Sequence, residues 1–320
     1  MSKYTDIKSK EILQLVLAEM KTAGTNFMCS WVKGGMPKKI TGKPYASINL
    51  FNLWATKAHR GYSSNTWGTF NQIKKLTNSD GKPGKVNKGA KAAFVCGAFT
   101  ITEKHTLVRG ADKGKVVERD KFNLKFYPVF NLDETNIKDK DIIIPDDVDT
   151  VESVENYVKN TNAEVRISSK NWNPYLSDSC FYNTAMDYIS MVDKKYFKNT
   201  QESTATENYY TTLLHELTHW TMHKDRCDRS FKEATKKEDG TYDSKSAYAM
   251  EELVAEMGSA IQSCLLGLTS KPKKESAQYL NIWISRLENN SKLFWNMCSH
   301  ASKAVSYIEK LQKNKYKKVA

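Results

Sequence analysis

One stretch, Tyr209–His223 (YYTTLLHELTHWTMH), constrains this chain more than any other. Inside it His215-Glu216-Leu217-Thr218-His219 is an HExxH pentapeptide. Residues four apart on an α-helix face the same way, so both imidazoles reach one tetrahedral ion. Glu216 stands beside them, placed to take a proton from water at that ion. Thr204 followed by Glu207 spells a capping box, and Leu213, Leu214, Leu217 and Trp220 form an apolar stripe. The pattern predicts a helix over 204–223 lying on a core. The pentapeptide alone also fits a buried helix whose two histidines are satisfied by hydrogen bonds. A third ligand decides between them.

Glu251, Glu252 and Glu256 open the next long apolar run, which predicts a helix over 247–268. A helix crossing behind the first presents one carboxylate to the metal, and the residue one turn later fixes a ligand histidine's tautomer. Glu252 as ligand with Glu256 behind His215 or His219 suits this geometry; Glu251 or Glu256 as ligand is the alternative. His223 follows His215 by eight residues. That is about 12 Å along a helix axis, which confines His223 to the rim. The longer motif with a third histidine has Asp225 at that position here and lacks its glycine.

Charge divides the chain. Residues 1–130 carry 23 Lys and Arg against 8 Asp and Glu, a net of +15. Residues 131–320 carry 26 against 28, a net of −2. A basic excess confined to one segment points to a polyanion partner. The sign flips in the acidic run after Phe130, which predicts a basic domain over 1–132, an acidic linker over 133–150 and a second domain over 151–320. No run of about 18 apolar residues predicts a membrane span, and no signal core is expected at the start. The six cysteines form no CxxC pair, so reduced thiols and a cytoplasmic protein are expected.

The first domain reads as mixed α and β. Amphipathic patterns predict helices over 4–22 and 46–59, and β-formers predict strands over 91–99 and 121–130, with 104–120 as a long hairpin loop. Aromatic and basic residues interleave between Trp31 and Lys75. Rings stack on unpaired bases while cations hold phosphates, so the pattern favours single strands over duplex. Trp67 and Tyr62, flanked by Ser, Asn, Gly and Thr, read as exposed platforms, whereas Trp54 and Phe51 read as core. Lys38, Lys39, Lys43, Tyr45, Arg60 and Lys88 complete the expected nucleic-acid contacts. In the second domain, strands are expected at 163–168 and within 180–192, and an edge strand before an HExxH helix lets a substrate backbone lie beside it. Residues 226–246 read as a polar surface excursion.

Together these pieces resemble the ArdC-type antirestriction proteins of conjugative plasmids and phages, over nearly the whole chain. Matching stretches include Thr41–Tyr45, Trp67–Gln72, Val86–Gly89, Tyr127–Asn131, HELTHWT at 215–221 and Tyr248–Glu256. Ala46 and Ala92 depart from the pattern. The resemblance implies an α+β protein of two domains: a basic single-stranded-DNA-binding domain, then a mostly helical zincin-like metallopeptidase domain. It implies His215, His219 and Glu252 as ligands of one zinc or another divalent transition metal, with Glu216 as the catalytic base. Protection of incoming DNA from host restriction is the implied role. A metallopeptidase targeted by its basic domain, or an interaction protein with a structural metal, are the competing readings. Duplex DNA and a host restriction enzyme or other host protein are further expected partners.

Overall fold

The computed structural model describes residues 3–24, 35–106, 109, 115–139, 150–168, 180–199, 203–231, 235–236, 240–268, 276–288 and 290–316. Trp31, Lys33 and most of the acidic run, 140–149, lie outside the described residues. Helix α1 (Lys3–Ala23) is followed by the short strand β1 (Lys38–Lys39), α2 (Ser47–Arg60), β2 (Thr66–Gly68) and α3 (Phe70–Lys74). Two long strands, β3 (Ala93–Thr106) and β4 (Val116–Asn131), complete a sheet in the order β1-β2-β4-β3. The hairpin keeps register from Ala93↔Val129 to Thr106↔Val116. Strand pairing therefore covers 104–106 and 116–120, where polarity predicted a loop; Thr102, Lys104, Thr106 and Glu118 are exposed, which suits a ribbon wetted by solvent.

Buried positions Ile12, Leu13, Val16, Leu17 and Met20 give α1 one apolar face, while Ile7 is exposed. Helix α2 covers the outer edge of β3 with side chains in place of a strand. Asn49 Nδ2 donates to Cys96 O at 2.7 Å and its Oδ1 accepts from Cys96 N at 2.6 Å. Asn52 Nδ2 donates to Phe94 O at 2.8 Å. These bonds satisfy backbone groups that an open edge would leave for another chain. The expected linker begins as packed structure: Leu132 and Ile137 are buried, and Asp133 accepts from Ser63 N. Residues 132–139 are thus built onto the first sheet.

The second half starts with α4 (Thr150–Thr161) and a three-stranded sheet, β5 (Glu164–Ser168), β6 (Phe181–Asn183) and β7 (Tyr188–Val192), in the order β5-β7-β6. Four helices follow: α5 (Ala205–Trp220), α6 (Ser244–Leu265), α7 (Ser276–Leu287) and α8 (Ser291–Tyr316). The expected capping box is present on α5: Glu207 N donates to Thr204 Oγ1 at 3.2 Å and Thr204 N to Glu207 Oε2 at 2.8 Å. One cluster of buried side chains runs through α1, α2 and the base of the β3–β4 hairpin into α6, α7 and α8. Phe126 packs edge-on to Trp295 at 6.3 Å, and Ser47 N donates to Ser302 Oγ at 2.8 Å. The charge boundary is therefore not a packing boundary. A second cluster joins α4, the three-stranded sheet and the buried face of α5.

Candidate metal centre

Helix α6 crosses α5 closely because small residues meet there. A Cβ at Gly258 would sit 2.5 Å from Thr218 Cγ2. Ser259 Oγ donates to Thr211 O at 2.9 Å, and Gln262 Nε2 to Thr218 Oγ1 at 2.8 Å. This crossing lays Glu251, Glu252 and Glu256 against His215 and His219, all of them buried. The ligand atoms of His215, His219 and Glu252 lie within 4.8 Å of one another. His215 Nε2 is 3.1 Å from His219 Nε2 and 3.3 Å from Glu252 Oε2; His219 Nε2 is 3.4 Å from Glu252 Oε1. Three ligands at zinc-like bond lengths of about 2.0–2.1 Å in a tetrahedron lie about 3.3 Å apart, so the triangle fits one divalent ion with a fourth position open.

The outer nitrogens of both rings face carboxylates. His219 Nδ1 is 3.0 Å from Glu251 Oε1, and His215 Nδ1 is 3.6 Å from Glu256 Oε1. Each carboxylate favours the proton on Nδ1, which leaves the Nε2 lone pairs aimed at the shared point. Burial opposes a charged His219, yet Glu251 and Glu252 push its pKa up to about 10. A ring held this way takes a proton or a cation. Burial would raise the Glu252 carboxyl, but His215 and His219 hold it far below its ordinary value.

Arg229 anchors Glu251. It is 2% exposed and donates from Nε to Glu251 Oε2 at 2.7 Å and from Nη2 to Oε1 at 2.6 Å. Nη2 also donates to Thr218 O at 3.0 Å, tying the pair to the end of α5. Burial raises the Glu251 carboxyl and Arg229 more than reverses that. The start of the polar excursion is therefore inside: Arg229 and Phe231 are buried, and Arg226 donates to Trp220 O at 2.5 Å and pairs with Asp187. Sequence reasoning missed Arg229; an arginine ten residues beyond His219 was the only trace of it. His223 lies past the helix end, with Nδ1 3.5 Å from Asp225 Oδ2, outside the ligand set.

Glu216, 1% exposed, reaches a cleft of about 420 Å3 shared with His219, Glu252, Phe181, Tyr182 and Tyr248. Tyr248, one turn before Glu252, hydrogen-bonds that carboxylate; burial first, then Glu252, raises its hydroxyl well above the ordinary range. Strand β6 borders the cleft and, among the described residues, is the outer strand of its sheet, so its far backbone edge suits an extended chain.

The expected nucleic-acid contacts divide. Lys39, Lys43 and Lys88 are exposed and Lys38 is half-buried. Trp67 is not a platform. It is fully buried in β2, between β1 and β4, with Tyr62 edge-on at 5.8 Å. Its polar neighbours are inside as well: Thr66 is fully buried, and a Cβ at Gly68 would meet Ile40 Cδ1 at 2.1 Å. Tyr62 is half-buried with its hydroxyl on Glu134 Oε1 at 2.5 Å. Tyr45 is buried, which pushes its hydroxyl up to about 12. Arg60 donates to Lys91 O at 2.5 Å and so braces the loop before β3.

A basic sheet half joined to helices that carry HExxH and a glutamate defines an α+β protein with a zincin-type centre. Residues 7–130 match the N-terminal domain of anti-restriction factor ArdC, and residues 152–301 match the zincin-like metallopeptidase family. The chain belongs to the ArdC-type antirestriction proteins. It is similar to the metal-free crystal structure of antirestriction ArdC from plasmid R388, with 28% identity, 96% of this chain and 98% of that one covered, and a TM-score of 0.73. The Mn(II)-bound structure of that protein gives 0.64 over 95% and 97%. An uncharacterized protein, y4eC, of Sinorhizobium fredii is 22% identical over 96% of this chain and 93% of its own. DNA primase TraC of Escherichia coli is 25% identical over 93% of this chain, which spans only 27% of the primase. Among the described residues no helix is long and apolar enough to cross a membrane.

Proposed function

We propose that this chain binds single-stranded DNA through its first 132 residues and shields incoming plasmid or phage DNA from host restriction, with zinc at the His215–His219–Glu252 centre. The observation that carries the DNA part is a net of +15 confined to residues 1–130. Its lysines stand in solvent: Lys82, Lys85, Lys88 and Lys91 are all exposed on the approach to β3. Cations placed so bind phosphates and make affinity fall with salt.

The cleft favours a second reading, peptide hydrolysis. Zinc bound by His215, His219 and Glu252 supplies a Lewis acid for a carbonyl oxygen. Glu216 takes a proton from water entering the cleft and returns it to the leaving amine. The β6 edge holds the substrate backbone. Glu251 and Glu256 keep the two rings in the ligating tautomer.

One experiment ranks the two readings. DNA protected from a restriction enzyme is measured for the parent and for Glu216→Gln, beside oligonucleotide affinity. The first reading expects Glu216→Gln to protect as the parent does. Lost protection with unchanged DNA affinity makes hydrolysis the protective act and reverses the order. Binding to duplex as tight as to single strands at matched salt removes the single-strand part.

A further inference from the structure

We propose that Tyr127, seated over Gly97 and flanked by Lys125, is the platform on which this protein stacks a base of single-stranded DNA. The inference rests on the DNA-binding reading above and gives it a place on the molecule. Trp67 and Tyr45 are buried and the Tyr62 hydroxyl is engaged, so these three rings of the basic stretch are taken up by the fold. Among the described residues up to Asn131, the exposed large rings are Phe70, at 54%, and Tyr127, at 40%. Phe70 opens the five-residue helix α3. Tyr127 lies on the 16-residue strand β4, where a paired strand forms a floor beneath it.

That floor is shaped for the ring. Val95 pairs with Tyr127 and Gly97 with Lys125, so these four positions share one face of the hairpin. A Cβ on Gly97 would lie 2.9 Å from Tyr127 Cε2, so the ring fills the space of the missing side chain. Glycine weakens the interior of a strand and is used there where something must approach the backbone closely. Lys125 Nζ lies over the Tyr127 ring, 5.5 Å from its centroid, on an exposed side chain that can swing from the ring to a phosphate. A ring beside a cation matches a nucleotide, which offers a base face beside a phosphate.

The opposite face is closed here. Phe94 has Lys8 of α1 at 4.3 Å over its ring, and Phe126 packs on Trp295. On the Tyr127 face, Ala93 and Val129 are buried nearer the sheet base. Cover therefore ends at the Tyr127 rung, and the ring is the first surface that a strand would meet. Charge complementarity selects the occupant: the segment carries +15, which suits a polyanion.

The test uses the full chain with an oligothymidylate and an abasic phosphodiester of equal length. The parent is expected to prefer the oligomer that carries bases. Tyr127→Ala should lose about tenfold or more on oligothymidylate, as removal of one stacking ring does, and little on the abasic oligomer. Its salt slope should not change, because no phosphate contact is lost. Tyr127→Phe should bind like the parent. Tyr127→Leu keeps the sheet covered without a ring and should behave like Tyr127→Ala even if the alanine variant melts early. Lys125→Ala should lower the salt slope by about 0.7 on both oligomers. A folded Tyr127→Leu that keeps the parent's preference for bases overturns the platform. A parent that prefers neither oligomer overturns it too, and a parent that binds neither removes the DNA-binding reading itself.

Discussion

At the scale of single residues, the centre depends on a carboxylate outside the candidate ligand triangle. Glu251 is buried between His219 and Arg229, and Arg229 makes four hydrogen bonds there, to Glu251, Thr221 and Thr218. Removing one partner of a buried pair strands the other, which costs about 3–5 kcal/mol. Arg229→Ala is expected to lose stability of that order in urea unfolding. Glu251→Gln keeps the shape and should instead weaken metal affinity by about 10- to 100-fold, read by chelator competition. Trp67→Ala should lower stability by about 3–5 kcal/mol, because Trp67 is core. The candidate ligand pair was legible because helical periodicity alone brings His215 and His219 together. The partner of Glu251 was not, since nothing in the spacing of Arg229 shows which way its chain turns after α5. Trp67 was misjudged because polar neighbours usually mark a loop; here those neighbours are hydrogen-bonded inside a sheet, as Thr66 is through Ser64 Oγ.

At the scale of elements, the α5–α6 crossing sets the triangle. Gly258→Val forces the helices apart at Thr218, an overpacking expected to cost about 1–3 kcal/mol and to loosen metal binding in the same variant. The start of α6 supplies a pH prediction. Asp243 caps it, accepting from Ser246 N at 3.0 Å, and its carboxyl sits at about 2, held down by Ser246 first and by Arg286. In the unfolded chain an aspartate titrates at about 3.9. The cap therefore contributes fully above that value, and its contribution is lost as pH falls toward 2. Asp243→Asn should flatten the acid limb of a melting-temperature profile over that window. The start of α5 was readable from Thr204 and Glu207, because a capping box is local. The length of the β3–β4 ribbon was not, because its outer rungs pair polar residues with one another or with the adjacent Val116 and Val117, and so carry no apolar alternation.

At the scale of the whole molecule, charge and packing divide the chain differently. Charge reports the surface, and it flips after Phe130. The core does not: α1 and α2 bury their apolar faces with those of α6, α7 and α8. Sequence showed that the 4–22 and 46–59 helices each have such a face but not which helix it meets. The shared core predicts that unfolding followed by tryptophan fluorescence and by circular dichroism gives one coincident transition, and that residues 1–132 expressed alone melt below the full chain. The proposed DNA site on the hairpin and the candidate metal site on α5 and α6 would then rest on one cooperative unit.

The central claim, one metal ion held by His215, His219 and Glu252 with Glu216 outside the ligand set, is tested by metal content. Parent, His215→Ala, Glu252→Ala and Glu216→Gln proteins are purified without added metal, reconstituted with zinc, desalted and measured by elemental analysis. Close to one ion per chain is expected in the parent and in Glu216→Gln, and loss of it in His215→Ala and Glu252→Ala. A folded parent that retains no metal, or an ion that survives both ligand substitutions, contradicts that claim.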